Sequence, residues 1–455
     1  MKKMAIILAA GKGTRMKSDL PKVLHEVNGK PMVQHLIDKL ERIGMDRIVV
    51  VVGHGAGQVK EKVRGNVEFV SQVEQLGTGH AVMQTSSLLE KEEGLTLVLT
   101  GDTPLIEEDT ITRLMDYHME KEAKGTVLTT NHFNPTGYGR ILKGEDDHVI
   151  GIVEEKDANT EQKRIQEVNT GIFCFDNRAL FESLPLLDNQ NVQGEYYLTD
   201  IVSLFLLKSY EFESFLLFDN EQMLGVNSRV QLAEAERVLR KRINEKHMNN
   251  GVTMIDPLNT YIGEDVVIGA NTIIYPNVTL NQITVIGENV VIESGSVITN
   301  SIIGNNSIIK QSVIMDSHLG NDVQVGPFAH IRPQTVIHNG AKVGNFVELK
   351  KTVLGEGSKA NHLSYLGDSI IGEGVNIGCG TITVNYDGKH KHQTIIEDEA
   401  FVGCNANLIA PVKIGKGAVI AAGSTITKDV PKNSLGVARS RQEIKKGYKS
   451  RTTQS

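Results

Sequence analysis

Three groups of residues in this 455-residue chain have types and spacing that could do chemistry. The first is Leu8-Ala9-Ala10-Gly11-Lys12-Gly13-Thr14-Arg15-Met16, which follows an apolar strand, Met4 to Leu8, and precedes Pro21-Lys22. Small residues and two glycines let the backbone turn tightly and bring its N–H groups close to a phosphate. Lys12, Arg15 and Lys22 add positive charge around the same pocket. The string is a polyphosphate cradle but not a P-loop, which needs Gly-Lys-Ser/Thr after a longer spacer. The second is Asp102, at the tip of the run Leu95-Thr96-Leu97-Val98-Leu99-Thr100-Gly101. A carboxylate there suits Mg²⁺, which takes few protein oxygens and completes its shell with water and substrate phosphate. Standing before Thr103-Pro104, Asp102 also reads as a turn residue or helix cap. The third is His362, a side chain that titrates where a general base must. Lys350, Tyr365, Asn376, Asn385 and Tyr386 recur near it along the chain.

The elements that must position these groups fall into two rhythms. Up to about Gly225, strands and helices alternate. Pro31 opens a helix running to Ile43, with Gly44 at its end. Arg47–Val52 is a β-branched run suited to a buried parallel strand. Further strands are predicted at Leu95–Thr100, Thr126–Thr130 and Val168–Phe175, and helices near Asp109–Lys121 and Tyr197–Leu207. This order implies a Rossmann-like α/β domain with a mainly parallel sheet, whose ligands sit beyond the carboxyl ends of the strands. Both the glycine-rich loop and Asp102 fall there. Ser228 then caps a connecting helix with an apolar stripe of Leu232, Ala235, Leu239 and Ile243, stopped by Asn249-Asn250-Gly251.

After it the spacing changes. Ile262, Ile268, Ile274, Leu280, Ile286, Ile292 and Ile298 stand six apart. The beat slips, resumes as Leu319, Val325, Ile331, Ile337, Val343 and Leu349, slips again, and returns from Ile396 to Ile426. A period of six fits neither helix nor simple strand; it fits a solenoid in which each hexapeptide makes one side of a triangular coil. Roughly 165 residues would make about nine coils. Asn361-His362-Leu363-Ser364-Tyr365 and the stretch from Asn385-Tyr386-Asp387-Gly388 to His392 interrupt the beat and are expected to leave the prism as loops. The predicted boundaries are 1–227, a linker helix 228–250, a solenoid 251–437 and a basic tail 438–455.

The net charge of −7 argues against a nucleic-acid binder. Cys174, Cys379 and Cys404 are odd in number and unlike metal-ligand spacing, as in a reduced cytoplasm. The apolar start ends at Ala10 and meets Lys12, too short for a signal peptide. With no apolar run near the roughly 20 residues a membrane span needs, a cytoplasmic protein without membrane insertion is expected. The tail from Arg439 to Arg451 sets six basic residues against Glu443. It reads as a solvated end or, more sharply, as a clamp on a phosphate-rich ligand.

The cradle with its Pro21-Lys22 resembles the signature of sugar nucleotidyltransferases (pyrophosphorylases). The six-residue repeat resembles the left-handed β-helix of hexapeptide-repeat acyltransferases; the hand is implied by that resemblance, since general connection rules favour the opposite one. In order and over essentially the whole length, the chain resembles the bifunctional N-acetylglucosamine-1-phosphate uridyltransferase/glucosamine-1-phosphate acetyltransferase family. The resemblance implies acetylation of glucosamine 1-phosphate by acetyl-CoA, then coupling of the product to UTP with Mg²⁺, in a homotrimer with acyl sites shared between subunits. It implies catalytic roles for Arg15 and Lys22, and a second metal ligand, Asn227, beside Asp102. Leu8, Ala9, Ala10, Gly11, Gln72, Gly77 and Thr78 would hold the nucleotide, and Gly139, Glu154 and Asn169 the acetamido sugar. In the other site Arg332 and Lys350 would hold the sugar phosphate and Glu348 would orient His362. Tyr365, Asn376, Asn385 and Tyr386 would line the sugar and thioester pocket. Cys379, Cys404, Ala422 and Arg439 would lie along the coenzyme A groove. Relatives often carry Ala and Ser where Cys379 and Cys404 stand, so thiol reagents are expected to block this groove.

The sequence also allows two other readings. One is a pyrophosphorylase for another sugar with a non-catalytic β-helix, which leaves His362, Tyr365 and Asn385-Tyr386 without a purpose. The other is a non-catalytic regulatory subunit, against which the intact Arg15, Lys22 and Asp102 argue.

Overall fold

The computed structural model describes residues 1–448, so Lys449 and Arg451 of the basic tail lie outside the described residues. The chain divides into two compact units, Met1–Leu239 and Arg240–Ser455.

In the first unit the apolar run Lys2–Ala9 lies mid-sheet, paired in parallel with Arg47–Val52 on one side and Gly94–Thr100 on the other. Five consecutive valines and isoleucines in Ile48–Val52 are buried, as a strand covered on both faces requires. Helix Met32–Arg42 starts after Pro31 and packs Leu36, Ile37 and Leu40 into the core on one face. Leu180, Ile201 and Phe205 fill the other. The predicted helix near Tyr197–Leu207 is a 3₁₀ turn, Leu198–Asp200, followed by helix Ile201–Leu207. One strand departs from the parallel sheet. Strand Glu167–Asp176 runs antiparallel between Gly94–Thr100 and Gly125–Asn131, and its register shifts between Asn169 and Phe173. A bulge of this kind re-aims side chains, here those of Asn169 and Thr170. Gly171 within it takes φ 78°, a conformation that favours glycine.

The connecting helix runs Arg229–Asn249, with Ala235, Leu239 and Ile243 buried and Leu232 partly so.

The second unit is a prism of short parallel strands. From Thr253 to Leu435, one side is a ladder of ten successive parallel pairings. The six-spaced aliphatics point inward throughout: Ile274, Leu280, Ile292, Ile298, Leu319 and Ile331 are all fully buried. The slips in the beat have a simple cause. From Ile298 the inward positions continue as Ile303, Ile309, Ile314 and Leu319, all buried, so three of these four steps are five residues instead of six. A corner shortened by one residue leaves the stacking intact. Many corners are turned by residues in the left-handed conformation, such as Asn271, Asn289 and Asn306 at φ 60°, 55° and 58°. Asparagine tolerates that region better than other residues with a Cβ.

Asn361–Tyr365 is not an insertion: it lies within strand Lys359–Ile371, and the inward residues on either side, Ala360 and Leu366, keep the six-residue spacing. The beat seemed broken because Leu363 occupies a corner at φ 36° and faces solvent. The Asn385–His392 segment does leave the prism, closed by a bridge between Tyr386 and Lys391.

Candidate functional site

The glycine-rich loop follows the carboxyl end of strand Lys2–Ala9. Gly13 takes φ 60°, and a Cβ there would stand 2.6 Å from the Lys22 Cβ, so the loop closes on Lys22 only because this residue is glycine. Lys22 Nζ donates to Asp102 Oδ2 at 2.5 Å and to Asn227 Oδ1 at 3.0 Å. Arg15 donates to the same Asn227 oxygen at 2.9 Å. Asn227 arrives from more than a hundred residues away because the Val226 N–H donates to the Asp102 carbonyl at 2.9 Å. Four residues from three segments thus converge on one point. A cavity of about 260 Å³ opens beside it, lined by Leu8–Gly11, Gln72, Gly77, Thr78 and Asp102, with Gln75, Thr100 and Glu195.

Gln72 is 3 % exposed and donates to the Gly77 carbonyl at 3.0 Å, which fixes its amide against the turn. Thr78 accepts from the Leu198 N–H at 3.0 Å. Gly139, Glu154 and Asn169 also come together: a Cβ on Gly139 would lie 3.4 Å from both Glu154 Oε1 and Asn169 Cβ. Asn169 Oδ1 accepts from the Gly171 N–H at 2.8 Å, across the bulge. Burial pushes the Glu154 carboxyl above the ordinary range, and Thr199 Oγ1 donates to it at 3.2 Å. Thr199 gave no sign of this role in the sequence, where it stands 45 positions from Glu154.

The donor set around Lys22 is compatible with a hard cation. The Asp102 carboxylate oxygen and the Asn227 amide oxygen both face one cation already, the Lys22 ammonium. One carboxylate with one neutral oxygen suits an ion that retains water and substrate oxygens. Among the described residues no cluster of three or more His, Cys, Asp or Glu could hold a metal.

The second site is built by stacking. Strand Lys342–Leu354 pairs in register with Lys359–Ile371, which sets Asn345 beside His362 and Glu348 beside Tyr365. The expected orienting contact from Glu348 is therefore absent: Glu348 pairs with Arg332 at 2.7 Å, and His362 Nδ1 meets Asn345 Oδ1 at 2.9 Å. With that oxygen accepting, Nδ1 carries the proton and Nε2 keeps its lone pair. His362 is exposed to solvent. Asn345 is not among the expected residues, although its spacing of 17 from His362 equals one coil of this wall.

Lys350 and Lys391 approach one another, with Arg332 nearby; these neighbouring cations push the Lys350 ammonium below its ordinary range. Such crowding is costly unless an anion neutralises it. Lys391 lies in the basic continuation of the Asn385 loop and is an addition to the expected set. Tyr365 Oη and Asn385 Nδ2 both crowd Gly367, where a Cβ would meet them at 2.5 and 2.7 Å. Asn385 donates to Asp368 at 2.5 Å. Tyr386 is exposed and donates to the Gly388 carbonyl, and Asn376 stands on the wall between Lys359 and Phe401. Cys379, Cys404 and Ala422 occupy successive equivalent corners, and Arg439 donates to the Ala422 carbonyl at 2.8 Å.

An α/β unit with a glycine-rich loop beside a cleft, joined to a prism of hexapeptides, defines a two-part transferase: a nucleotidyltransferase followed by a hexapeptide-repeat acyltransferase. Comparison with known proteins agrees. Residues 5–165 match the MobA-like NTP transferase domain, residues 246–328 the GMPPB C-terminal domain, and residues 316–351 and 393–428 the bacterial transferase hexapeptide repeat. Proteins named bifunctional protein GlmU are 55 % identical over 452 residues in Listeria innocua, 53 % over 453 in a Geobacillus species and 53 % over 446 in Halalkalibacterium halodurans. Each alignment covers 98 % of both chains. The chain belongs to the bifunctional GlmU family. It is a bifunctional enzyme of UDP-N-acetylglucosamine synthesis, with acetyltransferase and uridyltransferase activities in one polypeptide, and its prism is a left-handed β-helix. An idle β-helix or a non-catalytic subunit is not compatible with this membership.

Proposed function

We propose that uridylyl transfer takes place in the cleft beside Lys22, and acetyl transfer on the prism corner that carries His362. The observation that carries the first assignment is the meeting of Lys22, Asp102 and Asn227 at the mouth of a cavity walled by the glycine-rich loop.

In this reading Leu8–Gly11 cradle the UTP phosphates with their backbone amides, and Gln72, Gly77 and Thr78 hold the uracil end. Gly139, Glu154 and Asn169 hold N-acetylglucosamine 1-phosphate. The attacking phosphate is already largely a dianion at neutral pH, its second pKa being about 6, so no general base is required. Arg15 and Lys22 screen the approach of two anions and the departure of pyrophosphate. Asp102 and Asn227 would hold Mg²⁺, which when bound neutralises charge on the phosphate oxygens.

In the acetyltransferase, His362 Nε2 takes a proton from the amine of glucosamine 1-phosphate as it attacks the acetyl-CoA thioester. Asn345 holds the opposite ring nitrogen. Arg332, Lys350 and Lys391 receive the sugar phosphate, and Tyr365, Asn376, Asn385 and Tyr386 surround the sugar and thioester. Cys379, Cys404, Ala422 and Arg439 line the coenzyme A groove. Phe328 and Phe346 support a homotrimer: they stack at 5.4 Å on neighbouring corners and are 50 % and 57 % exposed, as is Leu363 at 60 %. Unpaired cysteines support a cytoplasmic location, and no helix among the described residues is long and apolar enough to cross a membrane.

The test is one mixture of glucosamine 1-phosphate, acetyl-CoA, UTP and Mg²⁺. Asp102→Ala should accumulate N-acetylglucosamine 1-phosphate with uridylyl transfer lowered about a thousandfold. His362→Ala should lower acetyl transfer by about 10²–10⁴ and still uridylylate added N-acetylglucosamine 1-phosphate. Loss of both steps in either variant would refute the assignment.

A further inference from the structure

Cys174 is fully buried in the first unit's core, and burial pushes its thiol far above the ordinary range. Cys379 and Cys404 differ: both reach solvent and neither is paired. Each stands immediately before a left-handed corner residue, Gly380 at φ 74° and Asn405 at φ 56°. The strands leading to these corners pair in register, Asn376 with Phe401 and Ile377 with Val402. The Asn405 N–H donates to the Cys379 carbonyl at 2.7 Å, so the register holds through the corner. A Cβ on Gly378 would stand 2.6 Å from the Cys404 nitrogen, which shows how closely the two coils are stacked. Equivalent positions on adjacent strands lie about 4.8 Å apart. That is inside the Cα separation of roughly 4.4–6.8 Å that a disulfide spans. The same column continues through His362 on the preceding coil, two residues past Ala360, whose partner is Ile377.

We infer that Cys379 and Cys404 form a dithiol modification site, which takes disulfides of small thiols and closes into an intramolecular bond across the acetyl-CoA groove. Acetyl transfer would then stop while uridylyl transfer continues. The inference rests on the groove assignment above. The more exposed Cys404 thiolate attacks an external disulfide; one sulfur–sulfur bond forms, another breaks, and one small thiol leaves with a proton. Cys379 gives up its proton and attacks the Cys404 sulfur, expelling the second small thiol. Two protein thiols are oxidised and one external disulfide is reduced to two thiols. The Arg439 guanidinium, bound to the Ala422 carbonyl at 2.8 Å one coil further on, supplies a cation for the carboxylates or phosphates such a disulfide carries.

The test treats the full-length enzyme with oxidised glutathione and reads intact mass, peptide cross-links and both activities. The expected product is about 2 Da lighter, retains no glutathione and joins the peptides carrying Cys379 and Cys404. Acetyl transfer should fall at least tenfold, uridylyl transfer should stay within twofold, and dithiothreitol should restore the loss. Cys379→Ala should instead retain one glutathione on Cys404. Two glutathiones per chain without a cross-link, or no modification at all, would overturn the site. The groove is read separately: acetyl-CoA should slow alkylation of both cysteines. A cross-link that leaves acetyl transfer intact, with no protection by acetyl-CoA, would overturn the groove assignment and the switch together.

Discussion

The two sites solve the problem of gathering distant residues in opposite ways. In the α/β unit, residues 15, 22, 102 and 227 meet because loops from separate strands end on the same edge of a sheet. The meeting point is partly enclosed, and its charges are already paired with one another. On the prism, Asn345, His362, Cys379, Cys404 and Ala422 are neighbours because they hold the same position on successive coils, and the site lies open along an edge. The first is fixed by specific side-chain contacts, the second by backbone register. A single steric change should therefore damage the first badly. The second should respond to side-chain deletions in graded fashion.

Gly13→Ala should have the largest effect of this kind. The added methyl would meet the Lys22 Cβ in a left-handed backbone, so we expect about a hundredfold loss of uridylyl transfer, with acetyl transfer unchanged in the same preparation. Retained activity would mean that the loop does not set the Lys22 position.

Glu154→Gln follows. Burial shifts its carboxyl upward, so the charged form is disfavoured in the folded chain relative to the unfolded one and costs stability above the unfolded carboxylate pKa. A neutral amide removes that cost. Thermal unfolding at neutral pH should shift upward, while the KM for N-acetylglucosamine 1-phosphate rises about tenfold. A lowered melting temperature would contradict the burial argument.

Asn345→Ala should lower the kcat of acetyl transfer about tenfold and alter its pH profile, because the imidazole loses the group that fixes its tautomer. Glu348→Gln should act mainly through the KM of glucosamine 1-phosphate, by way of Arg332. If Glu348→Gln moves the pH profile and Asn345→Ala does not, the register argument fails.

Lys391→Met should give the smallest change, about threefold in that KM. In the wild type, the lowered Lys350 ammonium loses its proton earlier than an ordinary lysine as pH rises, and phosphate binding weakens with it. Removing Lys391 should shift this rise in KM to higher pH. A shift to lower pH would break the proposed cation cluster.

How far the sequence could be read varied with the kind of contact. Strand Arg47–Val52 was legible to the residue because a continuous β-branched run has one comfortable place in a sheet. The inward aliphatics of the prism were legible because their period belongs to no other element. Asn361–Tyr365 was misread as an insertion, since polar residues and Leu363 occupy outward and corner positions where no aliphatic is required. Thr199 beneath Glu154 and Lys391 beside Lys350 left no local pattern, because each serves a partner far along the chain.

Taken alone, the order of residues determined the two architectures, the tight glycine-rich loop and the inward-facing stripe. These depend on local backbone freedom and on the periodic burial of apolar side chains. Only the tertiary structure decided that strand Glu167–Asp176 runs antiparallel and bulges at Asn169, that Asn345 rather than Glu348 faces His362, and that two cysteines 25 positions apart stand side by side. Those outcomes depend on strand direction and coil register, which arise from the summed packing of the whole unit and leave no trace in any short stretch of chain.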